Sequence, residues 1–259
     1  MARGLSLYVE GDSPLHRAHP FTKGVLTLSA IAVAFIAPSW AWVVGIGLLV
    51  ISLQLIAGVF RRFLVVAITL LAPITVLLLI VQGLVNPANR TVVVPAGGFS
   101  LYREGLLIAL LTAARLVDLI AATFLFSFAT RPQDLAEALI QKGLSPRIGY
   151  VVQSALQIIP QTLEMVSRIQ DAQRARGLET EGRLLTRARA FIPLLLPVVL
   201  SSLVATQERA MALDVRGFGL PGARRQRYVL PDSGGQRVLR WVLVALVPAA
   251  GLARILGWR

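Results

Sequence analysis

The sequence predicts an all-α polytopic membrane protein, with about five transmembrane helices and one polar region of long amphipathic helices. Hydrophobic residues make up 56% of the 259 residues and charged residues only 15%, which is too apolar for an ordinary soluble domain. Uncharged runs long enough to cross a bilayer recur along the chain. Residues 131–240, by contrast, hold 16 basic and 9 acidic residues. We therefore expect a transmembrane bundle at 1–130, a cytoplasmic domain at 131–237 and a last transmembrane helix at 238–259.

The first two spans come from one uncharged run, residues 24–60. As a single helix this run would be about 55 Å long, whereas the hydrocarbon core of a bilayer is about 30 Å thick. The run must therefore fold back, and Pro38-Ser39 supplies the break between spans at 24–37 and 40–60. The polar residues ahead of it, 1–23, are expected to form an uncleaved cytoplasmic N-terminus.

The next two spans enclose a short loop. A third span is expected over residues 63–89, with Pro73 accommodated inside the bundle. Turn formers and a β-prone stretch at 86–105 predict an extracytoplasmic hairpin or re-entrant piece. The fourth span, 106–129, carries Arg115 and Asp118 on one helix face. Because an unpaired charge in the membrane is costly, we expect these two residues to form a structural intramembrane ion pair with each other or with a neighbour.

Three helices are expected in the polar region. A short one covers residues 133–141, and a second of about thirty residues starts at Ser145-Pro146. The third includes an uncharged run at 190–207, which by length alone could cross the membrane. Its flanks are positive at both ends, which favours a helix lying in or just under the membrane. Both alternatives stay open.

The second and third of these helices close in the same way. Each ends with small residues, an arginine in the last turn and a glycine just beyond it, a pattern typical of a helix stop. The residues of interest are Ala172, Gln173, Ala175, Arg176 and Gly177 at the first end, and Ala210, Asp214, Val215, Arg216 and Gly217 at the second. Arginine is permanently charged and offers a rigid fork of donors to a carboxylate. The two ends are therefore candidate contact points for a partner.

Several classes of function have no residues to rest on. The chain has no cysteine and two histidines, so we expect no metal site. It contains no Gly-x-x-x-x-Gly-Lys-Ser/Thr phosphate loop and no nucleophile motif, so we expect no catalytic residue, no ATP site and no cofactor. The excess of basic residues in the polar region places that region and the N-terminus on the cytoplasmic side.

The motifs resemble those of one known family, the transmembrane (T) components of energy-coupling-factor transporters, which import cobalt, nickel or biotin. The resemblance covers nearly the whole chain and is carried by Ser13-Pro14-Leu15-His16 through Lys23, Arg131-Pro132-Gln133-Asp134-Leu135, Ile159-Pro160 through Arg174-Ala175-Arg176-Gly177, and Pro193-Leu194-Leu195 through Arg216-Gly217-Phe218. Val215 stands where the family more often has alanine.

The resemblance implies a multi-pass protein of the cell membrane that is not an enzyme. It implies two long coupling helices that cross, with Arg176 and Arg216 each docking into one of two ABC-type ATPase subunits, and one substrate-binding (S) component held on their apolar faces. The function implied is uptake of a vitamin or a transition-metal ion. The alternative is a membrane scaffold whose basic domain binds anionic lipid or nucleic acid. Residues 131–240 lack the interleaved aromatics that stack on bases, so we expect contact with lipid but not with nucleic acid.

Overall fold

A computed structural model describes residues 8–9, 11, 13–37, 39–87, 90–96, 99–177, 184–218 and 230–256. The chain divides into two compact units. Of the described residues, the bundle unit comprises those in the ranges 8–138 and 230–256, and the helix-pair unit those in the range 139–218. The first division falls inside a helix, α7 (Pro132–Gln141), rather than ahead of it.

The bundle unit is built on a short helix that contacts three others. Helix α2 packs against α3, α6 and α10. Helix α2 covers Pro20–Ile36 and follows the single turn α1 (Pro14–Arg17). The three helices that it contacts are α3 (Trp40–Ala57), α6 (Arg103–Ala129) and α10 (Gly234–Ile255). The chain turns back between residues 36 and 40, which confirms the predicted break. The main core lies between α3, α4 and α6, and consists of Val50, Ala57, Val59, Phe63, Ala121, Ala122, Leu125 and Phe128.

The segment between α3 and α6 contains a second long helical stretch. Helix α4 (Phe60–Val66) continues through a π-helical turn, Ala67–Leu71, into α5 (Ala72–Val85). Pro73, which has no backbone N–H to donate, lies two residues after this turn. The π-helical turn therefore shifts the pattern of backbone hydrogen bonds along the helix where the proline interrupts it. The stretch packs against α6 as one apolar span of 26 residues.

A β-hairpin joins α5 to α6. Strands β1 (Val92–Ala96) and β2 (Phe99–Tyr102) pair antiparallel, with a bulge between Val92 and Val94. The hairpin confirms one of the two predicted forms of this loop. The Glu104 carboxylate, at the start of α6, accepts hydrogen bonds from the backbone amides of Arg90 (3.2 Å) and Thr91 (3.1 Å) and from the Thr91 hydroxyl. It therefore holds the base of the hairpin against the helix.

Five helices in the described ranges are long and apolar enough to cross a membrane, in agreement with the predicted number. They are Trp40–Ala57, Phe60–Val85, Arg103–Ala129, Pro193–Val215 and Gly234–Ile255. The membership differs from the prediction, because α2 has 17 residues and falls just short, while the stretch over 193–215 qualifies. The chain is thus a multi-pass membrane protein.

The helix-pair unit consists mainly of two long helices, α8 (Pro146–Ala175) and α9 (Leu184–Val215). Their bounds confirm the second and third helices predicted for the polar region. Prolines 160, 193 and 197 are accommodated without ending either helix. The rings of Tyr150 and Phe218 lie 4.9 Å apart, and Arg209 donates to Gln161 at 3.5 Å. Because later residues of α8 meet earlier residues of α9, the two helices pack antiparallel.

Candidate functional site

The first arginine–glycine end closes α8 with a left-handed glycine. Arg176 is the C-cap residue, with φ −88° and ψ 8°, and Gly177 follows at φ +88°. The Gly177 amide donates to the Arg174 carbonyl at 2.9 Å, and the Arg176 amide donates to the Gln173 carbonyl at 3.1 Å. These bonds satisfy carbonyls that the end of a helix leaves without partners. The backbone therefore turns away sharply, and the side chain of Arg176 stays exposed.

The second end closes α9 in the same way and more completely. Gly217 has φ +67°, its amide donates to the Asp214 carbonyl at 2.9 Å, and the Phe218 amide donates to the Leu213 carbonyl at 3.0 Å. This pair of bonds is a Schellman motif, which needs a residue free to adopt positive φ. Arg216 is exposed, and Val215 before it is 89% exposed.

The two arginines lie at opposite ends of the helix pair. Arg216 is two residues from Phe218, which contacts Tyr150 near the start of α8. Arg176 lies 26 residues further along α8 than Tyr150, which corresponds to about 39 Å at 1.5 Å per residue. The helix pair therefore presents two similar cationic ends that are well separated from each other.

The neighbouring side chains leave each arginine accessible. Ala172 and Ala175 are exposed before Arg176, while Gln173 is half-buried. Ala210 and Asp214 are exposed before Arg216. Across the described ranges, neither Arg176 nor Arg216 has an ion-pair partner in the chain. Both guanidinium groups are thus exposed and unpaired within the described ranges, and the small alanine side chains beside them are exposed as well.

Of the two expected arrangements, Arg115 and Asp118 do not pair with each other, and Arg115 bonds a neighbouring helix instead. Arg115 and Asp118 both lie on α6, but Arg115 Nη2 donates to the carbonyl of Ala37, the C-cap residue of α2, at 3.3 Å. No ion pair joins Arg115 to Asp118 within 4.0 Å. The terminal carbonyls of a helix lack intrahelical partners and carry partial negative charge, so the end of α2 competes successfully for this cation.

Asp118 occupies a close contact between two helices instead. Its side chain is buried, with 4% of its surface exposed, and its Oδ2 atom has no hydrogen-bond partner among the residues described. Its Oδ1 atom lies against Gly47 of α3, so closely that a Cβ atom at position 47 would be 2.6 Å away. Asp118 is therefore a packing contact that depends on glycine opposite it.

Other buried polar groups of the bundle unit were missed at the sequence level. His19, Thr22, Lys23 and Gln54 are each at most 5% exposed. Gln54 donates to the carbonyl of Ala121 at 2.9 Å, which joins α3 to α6. For Lys23, the available signals were its rarity, as one of two lysines, and its place in the family-like opening motif. No group of three potential metal ligands occurs in the described part of the chain.

Comparison with known proteins places these features in one family. The family described as CbiQ, cobalt transport protein, matches residues 11–228. The energy-coupling factor transporter transmembrane protein EcfT of Heliobacterium modesticaldum is 33% identical over 234 residues, covering 86% of this chain and 87% of the relative. The proteins of the same name from Lacticaseibacillus paracasei and Bacillus subtilis are 27% and 28% identical over 263 residues each, covering 98% and 95% of this chain and 96% and 94% of the relatives. The chain therefore belongs to the CbiQ family, as a transmembrane coupling component of energy-coupling-factor transporters.

Proposed function

We propose that the chain transmits the ATP-driven motion of two ABC-type ATPase subunits to one separate substrate-binding (S) component, for uptake of a vitamin or a transition-metal ion. The observation that carries this proposal is the pair of exposed arginine–glycine ends at opposite ends of α8 and α9. Two motor subunits that are identical or similar need two similar contact points, one for each subunit. We expect ATP to be bound by the ATPase subunits, and no cofactor by this chain.

The chemistry of the two ends suits a contact that must bear force. An arginine fork bonds a carboxylate in two places and stays charged at every physiological pH, so the contact persists through the transport cycle. The left-handed glycine removes the following chain from the axis of the helix, which lets the partner approach the last turn. We therefore assign Arg176 and Arg216 the anchoring contacts, with Ala172, Gln173, Ala175, Gly177, Ala210, Asp214, Val215 and Gly217 around them.

The apolar side chains of the helix pair support a second contact, with the S component. Large hydrophobic residues remain exposed along both helices after α8 and α9 have packed together. Exposed apolar surface of this extent is typical of a protein or membrane interface. The side chains concerned include Ile148, Val151, Ile159 and Leu163 on α8, and Leu196, Leu200, Leu203 and Met211 on α9. Lipid covers what the S component leaves free, and the ATPase contacts require the N-terminus and the helix-pair unit to be cytoplasmic.

The test reverses the charge at each end and measures assembly. We expect Arg176→Glu and Arg216→Glu to insert into the membrane normally, but to retain the ATPase subunits at least about tenfold less well in co-purification, because a repelling carboxylate replaces a charged hydrogen bond. Arg168→Glu is the matched control, since Arg168 is exposed on α8 about two turns before its end and is not part of the arginine–glycine stop. ATPase retention by the double variant equal to that of the control would contradict the proposal.

A further inference from the structure

Helix α6 lacks the glycine stop that closes four other helices of the chain. Helices α3, α7, α8 and α9 are each followed by a glycine with positive φ, namely Gly58, Gly143, Gly177 and Gly217. Helix α6 ends instead at Thr130, whose backbone is extended at φ −120° and ψ 123°. Without a glycine turn, its last carbonyls need partners from outside the helix.

Those partners come from the segment that precedes α2 and from the first turn of α2 itself. The amide of Val9 donates to the carbonyl of Phe128 at 3.0 Å. The ammonium of Lys23 donates to the carbonyl of Ala129 at 2.7 Å and to the carbonyl of His16 at 2.9 Å. Lys23 is only 5% exposed, so both bonds are shielded from water. A cation at the C-terminal end of a helix also interacts favourably with the helix dipole.

The same segment is tied to its surroundings by further bonds. His16 Nε2 donates to the carbonyl of Val9 at 3.1 Å, while its Nδ1 lies 2.7 Å from the Ser13 hydroxyl. The guanidinium of Arg131 lies over the ring of Tyr8, 4.8 Å from its centre. We call Tyr8, Val9, His16 and Lys23 the N-terminal clasp. The residue pair Thr130 and Arg131 links α6 to α7. The clasp bonds the two carbonyls before this pair and contacts Arg131 within it.

This link is the route by which the chain leaves the transmembrane helices. After Arg131 the backbone enters α7, and after α7 it continues into the helix-pair unit. A two-residue link with no further support can bend, since each residue has two soft dihedral angles. The clasp bonds the carbonyl groups immediately before the link and contacts the arginine within it. Bending at the link would have to move the Arg131 guanidinium off the ring of Tyr8, while Val9, next to Tyr8, stays bonded to the end of α6.

Resting on the proposed function, we propose that Lys23 is a positioning residue for energy coupling, which holds the α6–α7 link rigid so that motion of the coupling helices reaches the transmembrane bundle. A flexible link would absorb that motion. Lys23 contacts neither ATPase nor cargo in this role. It acts by bonding the end of α6 to His16, which in turn bonds Val9 beside the ring of Tyr8 that Arg131 covers.

The test measures the stiffness of the link directly. The chain has no cysteine, so spin labels attach only to cysteines that are introduced. We place them at Leu110→Cys on α6 and Gln133→Cys on α7, two exposed positions in the bundle unit. In the complex of the full chain with the ATPase subunits, we expect one narrow distance that does not change when ATP is added. Lys23→Met, which removes both hydrogen bonds at similar length, should widen the distribution at least about twofold. Lys142→Met is the control, because Lys142 is the other lysine and is exposed.

A second variant covers the case in which Lys23→Met does not assemble. Val9→Pro removes the amide that donates to Phe128 and leaves Lys23 in place. A wider distribution in either variant supports the proposal, because a purely structural role would lower the melting temperature without loosening the link in assembled complexes. Wild-type width in both, or failure of both to assemble, overturns it. If the wild-type chain binds no ATPase, the proposed function and the coupling role are both overturned. The width of the distance distribution in the chain alone would then still show whether Lys23 stiffens the link.

Discussion

Replacing Gly47 by alanine tests the contact between α3 and α6 at its closest point. The added Cβ would lie 2.6 Å from Asp118 Oδ1, a separation that real Cβ atoms do not show. Asp118 is 96% buried, so its carboxyl group cannot simply swing into solvent. Either the side chain leaves its rotamer or the two helices move apart. Both responses disturb the core formed by the neighbouring residues of α3 and α6.

The magnitude follows from comparing Gly47 with Gly45, two residues earlier in α3. A Cβ at position 45 would meet nothing within 4 Å. Replacing glycine by alanine in a helix gains about 0.5–1 kcal/mol from backbone entropy, and that gain applies to both positions. The difference between the two variants is therefore the cost of overpacking, about 1–3 kcal/mol. For a chain of this size, a difference of 2 kcal/mol corresponds to roughly 4–8 °C in melting temperature.

The assay is thermal unfolding of the purified chain in detergent, followed by tryptophan fluorescence, for Gly45→Ala and Gly47→Ala in parallel. We expect Gly45→Ala to melt at or above the wild-type temperature and Gly47→Ala clearly below it. In an Asp118→Ala background the penalty of Gly47→Ala should disappear, because the group it strikes is gone. Equal melting temperatures for the two glycine variants in the wild-type background would refute the close contact.

Two further predictions concern charged groups of the bundle unit. Arg115→Met should lower the melting temperature by the equivalent of about 1–2 kcal/mol, because it removes the partly buried bond to the end of α2. Arg254→Met removes an exposed bond of 3.5 Å to the same helix end and should change the melting temperature little. Equal effects of the two variants would contradict the difference in burial. Arg240 bonds both carboxylate oxygens of Asp232, at 2.8 and 2.7 Å, and thereby lowers the pKa of Asp232. The bond therefore stabilises the fold above the unfolded pKa of about 3.9, and this stability is lost as the pH falls through the lower folded pKa. The melting temperature of Asp232→Asn should therefore fall less steeply below about pH 4 than that of the wild type. The same dependence of melting temperature on pH in both proteins would refute this.

The helix ends could be predicted from the sequence because their cause is local. A glycine after an amphipathic run specifies a left-handed turn whatever surrounds it, and Gly143, Gly177 and Gly217 all adopt positive φ. The fold-back near residue 38 and the hairpin after α5 followed from proline and from turn formers in the same way. The prediction of a transporter component rather than an enzyme rested on motifs at these positions, and family membership confirms it. It also favours the transporter over the scaffold alternative.

The partners of buried charges could not be predicted, because they depend on which helices meet. The spacing of Arg115 and Asp118 shows that they share a face of α6, but it does not show that the end of α2 lies nearer. The sequence places Lys23 among the polar residues ahead of the first apolar run, whereas the structure buries it against the end of α6, 106 residues away in sequence. The stretch over 193–215 remained ambiguous for a related reason: its length and apolar content permit a crossing, while its positive flanks oppose one.

Helix α2 has consequences for how the protein is made. Its 17 residues span about 25 Å, less than the hydrocarbon core, so it is a weak membrane segment by itself. Both of its ends are completed by helices synthesised later: Gln236 of α10 accepts from His19 and Thr22 at the start, and Arg115 of α6 and Arg254 of α10 donate to its last carbonyls. The second segment to leave the ribosome thus acquires its full set of hydrogen bonds only when the final helix arrives. Chains interrupted before α10 would leave polar groups at both ends of α2 without these partners.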